Sequence, residues 1–162
     1  MKQIQTLETY LQQQIADDDT RSAVATTILR IAAAATRIKK LVARGQLDAA
    51  RGDNTHGDVQ EELGRIANER IVEALQNAPV ATLVSEELAQ PMLLHEAAPL
   101  SLAIDPLDGS SNVRINSTAG TIFRSFLQAV PGTRRVMMTC YKPVTTNSPL
   151  VTASTDRKLH WC

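Results

Sequence analysis

Leu100-Ser101-Leu102-Ala103-Ile104-Asp105-Pro106-Leu107-Asp108-Gly109-Ser110-Ser111-Asn112 is the stretch that decides the fold. A short apolar run, residues 100–104, feeds into two aspartates, a glycine and two serines. A run of that length bounded by turn residues reads as a strand. Pro106 fixes one φ angle and removes a backbone donor. That suits a tight turn in which both aspartates and an intervening carbonyl face one point. Gly109 permits close backbone approach. The N–H groups of Gly109, Ser110 and Ser111 then suit an anion-binding nest, as at a helix N-terminus. Taken alone, the same residues also serve as a turn with an Asx cap.

Upstream, residues 80–84 form a second apolar run that ends on Ser85-Glu86-Glu87. Alone, such a glutamate pair is ordinary solvated surface. If the two strands are neighbours, however, four carboxylates converge, and such a cluster repels itself unless a cation neutralises it. Oxygen-only ligands point to Mg²⁺ or Mn²⁺ rather than zinc.

Further out, residues 121–130, 136–141 and 150–153 read as three more strands, and residues 89–99 as a loop. The N-terminal part is helical: a short helix over 6–16, a second to about Arg44, and a third over about 58–76. Asp17-Asp18-Asp19-Thr20 offers N-cap oxygens to the second helix. There Val24, Ile28, Ile31, Ala35, Ile38 and Val42 alternate spacings of four and three, which places them on one face. Gly45 is a candidate C′ residue. Val59, Leu63, Ile66 and Leu75 mark one face of the third helix, which Gly64 interrupts. Helices first and strands later predict an α+β fold, with N-terminal helices packed on a mixed β-sheet.

Composition narrows the function. The chain has 162 residues, which fits one domain. Seventeen basic residues balance seventeen acidic ones, so there is no electrostatic footprint for nucleic acid or an anionic membrane. One Trp, two Tyr and two Phe are too few for a base-stacking platform. No apolar run reaches the length of a membrane span. The polar start argues against a secretory signal, and two cysteines suggest a reducing cytoplasm. Cys140 sits in an apolar run and reads as core. His56, His95 and His160 show no metal spacing and read as surface or loop. Arg134-Arg135 reads as a solvated pair.

Asp105-Pro106-Leu107-Asp108-Gly109-Ser110-Ser111-Asn112 resembles the signature of class I fructose-1,6-bisphosphatases. Three further segments agree in order: Gly57-Asp58-Val59-Gln60 with G-D-x-Q, Val84-Ser85-Glu86-Glu87 with V-S-E-E, and Gly120-Thr121-Ile122-Phe123 with G-T-I-F. The similarity runs from about Thr6 to Phe123 and is bacterial in character. It implies the N-terminal half of the layered αβαβα sugar phosphatase fold. The implied reaction is Mg²⁺-dependent hydrolysis of the 1-phosphate of fructose 1,6-bisphosphate, in gluconeogenesis or the Calvin cycle. Glu86, Glu87, Asp105, Asp108 and the Leu107 carbonyl would be metal ligands. Asp108, Gly109, Ser110, Ser111 and Asn112 would bind the phosphate. Glu87 would orient or deprotonate the attacking water, and Asp58 lies in the loop-and-helix segment that supports that water. The metals would lower that water's pKa and stabilise the leaving alkoxide. A cytoplasmic homotetramer is the family's usual form.

The chain departs from the pattern in places. Where the family usually has K-x-L-D, this sequence has Glu61-Glu62-Leu63-Gly64, so a carboxylate of the catalytic constellation gives way to Gly64. Where I-D usually follows the signature, Val113-Arg114 stands. The match weakens from Val136. Family members continue for a comparable stretch, so residues 1–162 are expected to be one domain equivalent to the N-terminal half, with the C-terminal half absent. A truncated or diverged, non-catalytic homologue that retains only part of the metal and phosphate site, and a phosphatase for another small phosphate ester, are the alternative readings.

Overall fold

The computed structural model describes residues 5–15, 17–43, 56–115, 118–128, 137–144 and 152–154. Three helices come first: α1 (Leu7–Ile15), α2 (Asp19–Ala43) and α3 (His56–Leu75). Six strands follow: β1 (Val80–Ser85), β2 (Met92–Leu93), β3 (Leu100–Asp108), β4 (Ala119–Leu127), β5 (Met137–Val144) and β6 (Thr152–Ser154). A 3₁₀ turn at Ser110–Ile115 separates β3 from β4.

Each of the first two helices starts on a side-chain cap. The Thr9 amide donates to Thr6 Oγ1 and the Arg21 amide to Asp18 Oδ1, satisfying donors that have no partner inside the helix. In α2 the periodic positions face inward as expected: Ile28, Ile31, Ala35 and Ile38 are buried, and Val42 half-buried. The small Ala34 and Ala35 are each 1% exposed, which lets α3 approach closely. Thr27 of α2 is also buried and donates its hydroxyl to the Ala23 carbonyl, so the core accepts a polar group without leaving it unpaired. In α3 the buried face runs through Leu63, Ala67, Ile71 and Leu75, while Ile66 is only half-buried. Gly45 lies outside the described residues.

The strands form one mixed sheet in the order β2-β1-β3-β4-β5-β6. β1 and β3 are parallel neighbours; every other pairing is antiparallel. Leu83 of β1 and Leu100, Leu102 and Ile104 of β3 share the hydrophobic core with α2 and α3. Ser101 and Ala103, which alternate with those β3 residues, are half-buried. That period of two is the mark of a sheet with one face packed and one partly open. The α+β expectation therefore holds.

Three local differences from the sequence reading have physical causes. β2 is two residues long and lies within the expected 89–99 loop; a pair of residues carries no period to detect. β3 does not stop at Asp105 but continues through Pro106 to Asp108, with its register shifted between Asp105 and Asp108. A bulge is one of the places where a strand tolerates proline, and the Pro106 carbonyl is satisfied by the Thr121 hydroxyl at 2.9 Å. β5 likewise reaches Val144, past Pro143.

Candidate functional site at the ends of two parallel strands

The site expected from the sequence depends on β1 and β3 being neighbours, and they are. Ser85 pairs with Ile104, so Glu86 and Asp105 are the next residues on adjacent parallel strands. The Glu86 amide still donates to the Ile104 carbonyl at 3.1 Å, extending the ladder by one step. The Glu86 carboxyl lies close enough to act directly on that of Asp105. Two carboxylates this close repel one another, which disfavours the charged form of Asp105.

Asp105 registers the conflict. Its carboxyl is pushed up to about 7, first by desolvation and then by the hydrogen bond and charge of Glu86, with a smaller contribution from Asp108. The Leu107 amide donates to Asp105 Oδ1 at 3.0 Å. This is the Asx turn that the sequence allowed as an alternative. It favours the charged form but is outweighed. The Asx turn and the acidic pair therefore coexist on one side chain.

The remaining expected ligands are distributed around this pair. Leu107 is 4% exposed and its side chain belongs to the core, so any ligand from it has to be the carbonyl. Asp108 is exposed at the end of β3, opposite Gly120 of β4. Gly109 has φ of 76°, a left-handed conformation that β-carbons disfavour. An added Cβ there would also lie 3.0 Å from the Thr118 carbonyl oxygen and 3.1 Å from Asn112 Nδ2. Ser110 and Ser111 open the 3₁₀ turn, half-buried and exposed respectively. Asn112 closes it: its amide donates to the Gly109 carbonyl at 2.8 Å and its side-chain Nδ2 to the Thr118 carbonyl at 3.0 Å. The segment 105–112 is thus tied to β4 by Thr121 and to Thr118, the residue before β4, by Asn112.

Glu87 takes a different course from Glu86. Its carboxylate lies against α3, over Gly64. Its pKa is raised by desolvation first and then by the charges of Glu86 and Glu61. Among the described residues no three His, Cys, Asp or Glu side chains stand together as a metal-holding group. The donor set is nevertheless the right one for a hard divalent cation: oxygen donors only, with Asp105 held above the usual carboxylate range by burial and by Glu86. Asp58 is in the first turn of α3, and its side chain lies outside the described residues. So do the side chains of His56, Arg134, Arg135, Cys140 and His160. His95 is exposed and bonds the Gln76 carbonyl through Nε2 at 2.7 Å.

One contact that shapes the site was not read from the sequence. Ser85 and Asn68 are both buried, and the Ser85 hydroxyl donates to Asn68 Oδ1 at 2.8 Å. This bond fastens the end of β1 to α3. The readable signal was Asn68 itself, a polar residue on the inward stripe one turn after Gly64.

Comparisons with known proteins agree with the motifs. The family model described as Fructose-1-6-bisphosphatase, N-terminal domain, matches residues 5–154. The fructose-1,6-bisphosphatase class 1 of Rhizobium meliloti (strain 1021) is 47% identical over 133 residues, which cover 78% of this chain and 38% of that protein. The namesake from Methylorubrum populi is 45% identical over 121 residues, 72% of this chain and 35% of that protein. Among solved structures, Leishmania major fructose-1,6-bisphosphatase in its holo form superposes with a TM-score of 0.77 at 20% identity, over 94% of this chain and 52% of that one. The chain spans about 38% of the length of the first curated relative it matches.

Proposed function

The chain belongs to the fructose-1,6-bisphosphatase family, and from that premise we propose that it contributes the metal and phosphate wall of a site that hydrolyses the 1-phosphate of fructose 1,6-bisphosphate. The observation that carries the reading is the Glu86–Asp105 pair at the ends of adjacent parallel strands, directly before the Gly109 turn. Residues 1–162 would then form one domain equivalent to the N-terminal half of the family's fold. Mg²⁺ as the ion, with Mn²⁺ as a substitute, a homotetrameric assembly and a cytoplasmic place belong to the same reading. They rest on the family resemblance.

Glu86, Glu87, Asp105 and Asp108, with the Leu107 carbonyl, would hold the divalent ions. When bound, such ions supply charge neutralisation and Lewis acidity toward a phosphoryl group. The chain's own contribution is positional. The backbone at 109–111 offers N–H groups where phosphate oxygens need donors. The Asn112 and Thr121 bonds keep that backbone fixed, so little reorganisation accompanies binding. Glu87, rotated toward Glu86, would accept the proton of the attacking water.

The position of Glu87 over Gly64 favours a second reading, a diverged homologue that binds metal or phosphate without turnover. Mg²⁺-dependent phosphate release from fructose 1,6-bisphosphate separates the two. The first reading expects release that Asp105→Asn and Glu87→Gln both abolish. Release no greater than that of Asp105→Asn supports the second. A panel of other small phosphate esters tests whether the substrate is this sugar bisphosphate.

A further inference from the structure

Gly64 is buried on α3, facing the end of β1. A Cβ added there would stand 2.6 Å from Glu87 Cδ and 2.9 Å from Glu87 Oε2, with Oε1 closer still. No side chain at position 64 is compatible with this placement of the Glu87 carboxylate. The obstacle is the far end of a flexible side chain, so a β-carbon would be accommodated by moving Glu87 rather than the helix. We infer that Gly64 is a parking notch for Glu87: the missing β-carbon lets this carboxylate lie against α3, away from the Glu86–Asp105 pair, and so weakens divalent-cation binding. The inference rests on the metal-site reading above and assigns Gly64 a positioning role within it.

The backbone around Glu87 leaves only side-chain rotation free. Glu86 is held by the hydrogen bond its amide donates to the Ile104 carbonyl, and Leu88 by the one its amide donates to the Ser85 carbonyl at 3.1 Å. The Glu87 amide itself reaches Ser85 Oγ at 3.4 Å, and Ser85 is fastened to Asn68. A Glu87 carboxylate excluded from the notch therefore turns about its own χ angles, with no shift of the strand end. The groups whose charge bears on it are Glu86 beside it and Glu61 one turn before Gly64. Without a cation both repel it. With a cation beside Glu86, attraction draws it to that side, and the notch is what competes. A ligand that spends most of its time elsewhere lowers apparent affinity by the fraction of time it is in place.

The test is Mn²⁺ titration of the full chain, followed by calorimetry or by loss of the free-ion electron paramagnetic resonance signal. Wild type, Gly64→Ala, Glu87→Gln and the Gly64→Ala/Glu87→Gln double variant are compared. Alanine brings a β-carbon but no ligand atom, and it is the better helix former. Gly64→Ser gives a second route to the same β-carbon. Gly64→Ala is expected to bind Mn²⁺ about threefold or more tighter than wild type, with the gain absent in the Glu87→Gln background. Equal or weaker binding by both Gly64 variants overturns the inference while leaving the metal site intact. A gain that survives Glu87→Gln also overturns it, since the effect would then not pass through Glu87. Absence of Mn²⁺ binding in every variant overturns the metal-site reading and the inference together.

Discussion

The two strand ends that build the site are held very differently. At the end of β3, residues 105–112 are fixed by the Leu107–Asp105 Asx bond, the Thr121–Pro106 bond and the Asn112–Thr118 bond. At the end of β1 the backbone is fixed through Ser85 and Ile104, but the Glu87 side chain rests on a helix position with no β-carbon. One wall is preorganised and the other has a side chain out of line with it. Preorganised groups lose little freedom when charge arrives, whereas a displaced ligand must first be moved.

The two glycines give the sharpest way to break this comparison. Gly109→Ala forces a β-carbon into the left-handed region and toward a backbone oxygen. It should cost about 2 kcal/mol in thermal or denaturant unfolding. Gly64→Ala meets only a movable carboxylate and relieves a helix interior of glycine, so it should stabilise by up to about 1 kcal/mol. Opposite signs from the same chemical change are the expected result; two losses of equal size would contradict the picture of a soft β1 side.

Ser85→Ala probes the fastening of β1 to α3. It leaves the buried Asn68 carbonyl oxygen without its donor and should cost about 1.5 kcal/mol. Asn68→Ala combined with Ser85→Ala should cost less than the two single losses summed, because neither partner is then orphaned.

The smallest effect is in pH. The Asp105 carboxyl rises on folding from 3.8 to about 7, and that of Glu87 rises too. A group raised on folding stabilises most below its unfolded value, and that contribution is lost as pH climbs through the folded one. Metal-free protein should therefore gain stability on acidification from about pH 7.5 toward about pH 5. Asp105 is partly exposed, so solvent screening limits its share to about 1 kcal/mol. Asp105→Asn should flatten the profile in calorimetric melts, and a steeper profile in the variant would show the pair to be misassigned.

Much of this arrangement was legible in the sequence, because strand ends, helix faces and caps leave local signatures. The spacing of Val24, Ile28, Ile31, Ala35 and Ile38 identified the inner face of α2 directly. The acidic ends of residues 80–84 and 100–104 marked both strands, and the structure makes them parallel neighbours. Proline was the misleading residue: Pro106 suggested a turn where a bulge carries β3 onward, because the satisfying partner, Thr121, is 15 residues away and no local rule sees it. The divergence of Glu86 and Glu87 was equally out of reach. It depends on what α3 offers opposite them, a tertiary fact. Gly64 was visible as a departure, but that a carboxylate would fill its space was not.

The central claim is that Glu86 and Asp105, side by side at the ends of β1 and β3, hold a divalent cation. Mn²⁺ titration of the full chain at about pH 7.5, wild type beside Asp105→Asn, tests this most directly. The expected result is saturable binding by the wild type with net proton release, and affinity about 100-fold weaker in the variant with the release lost. Binding of equal strength in both proteins, with no proton release, would contradict it.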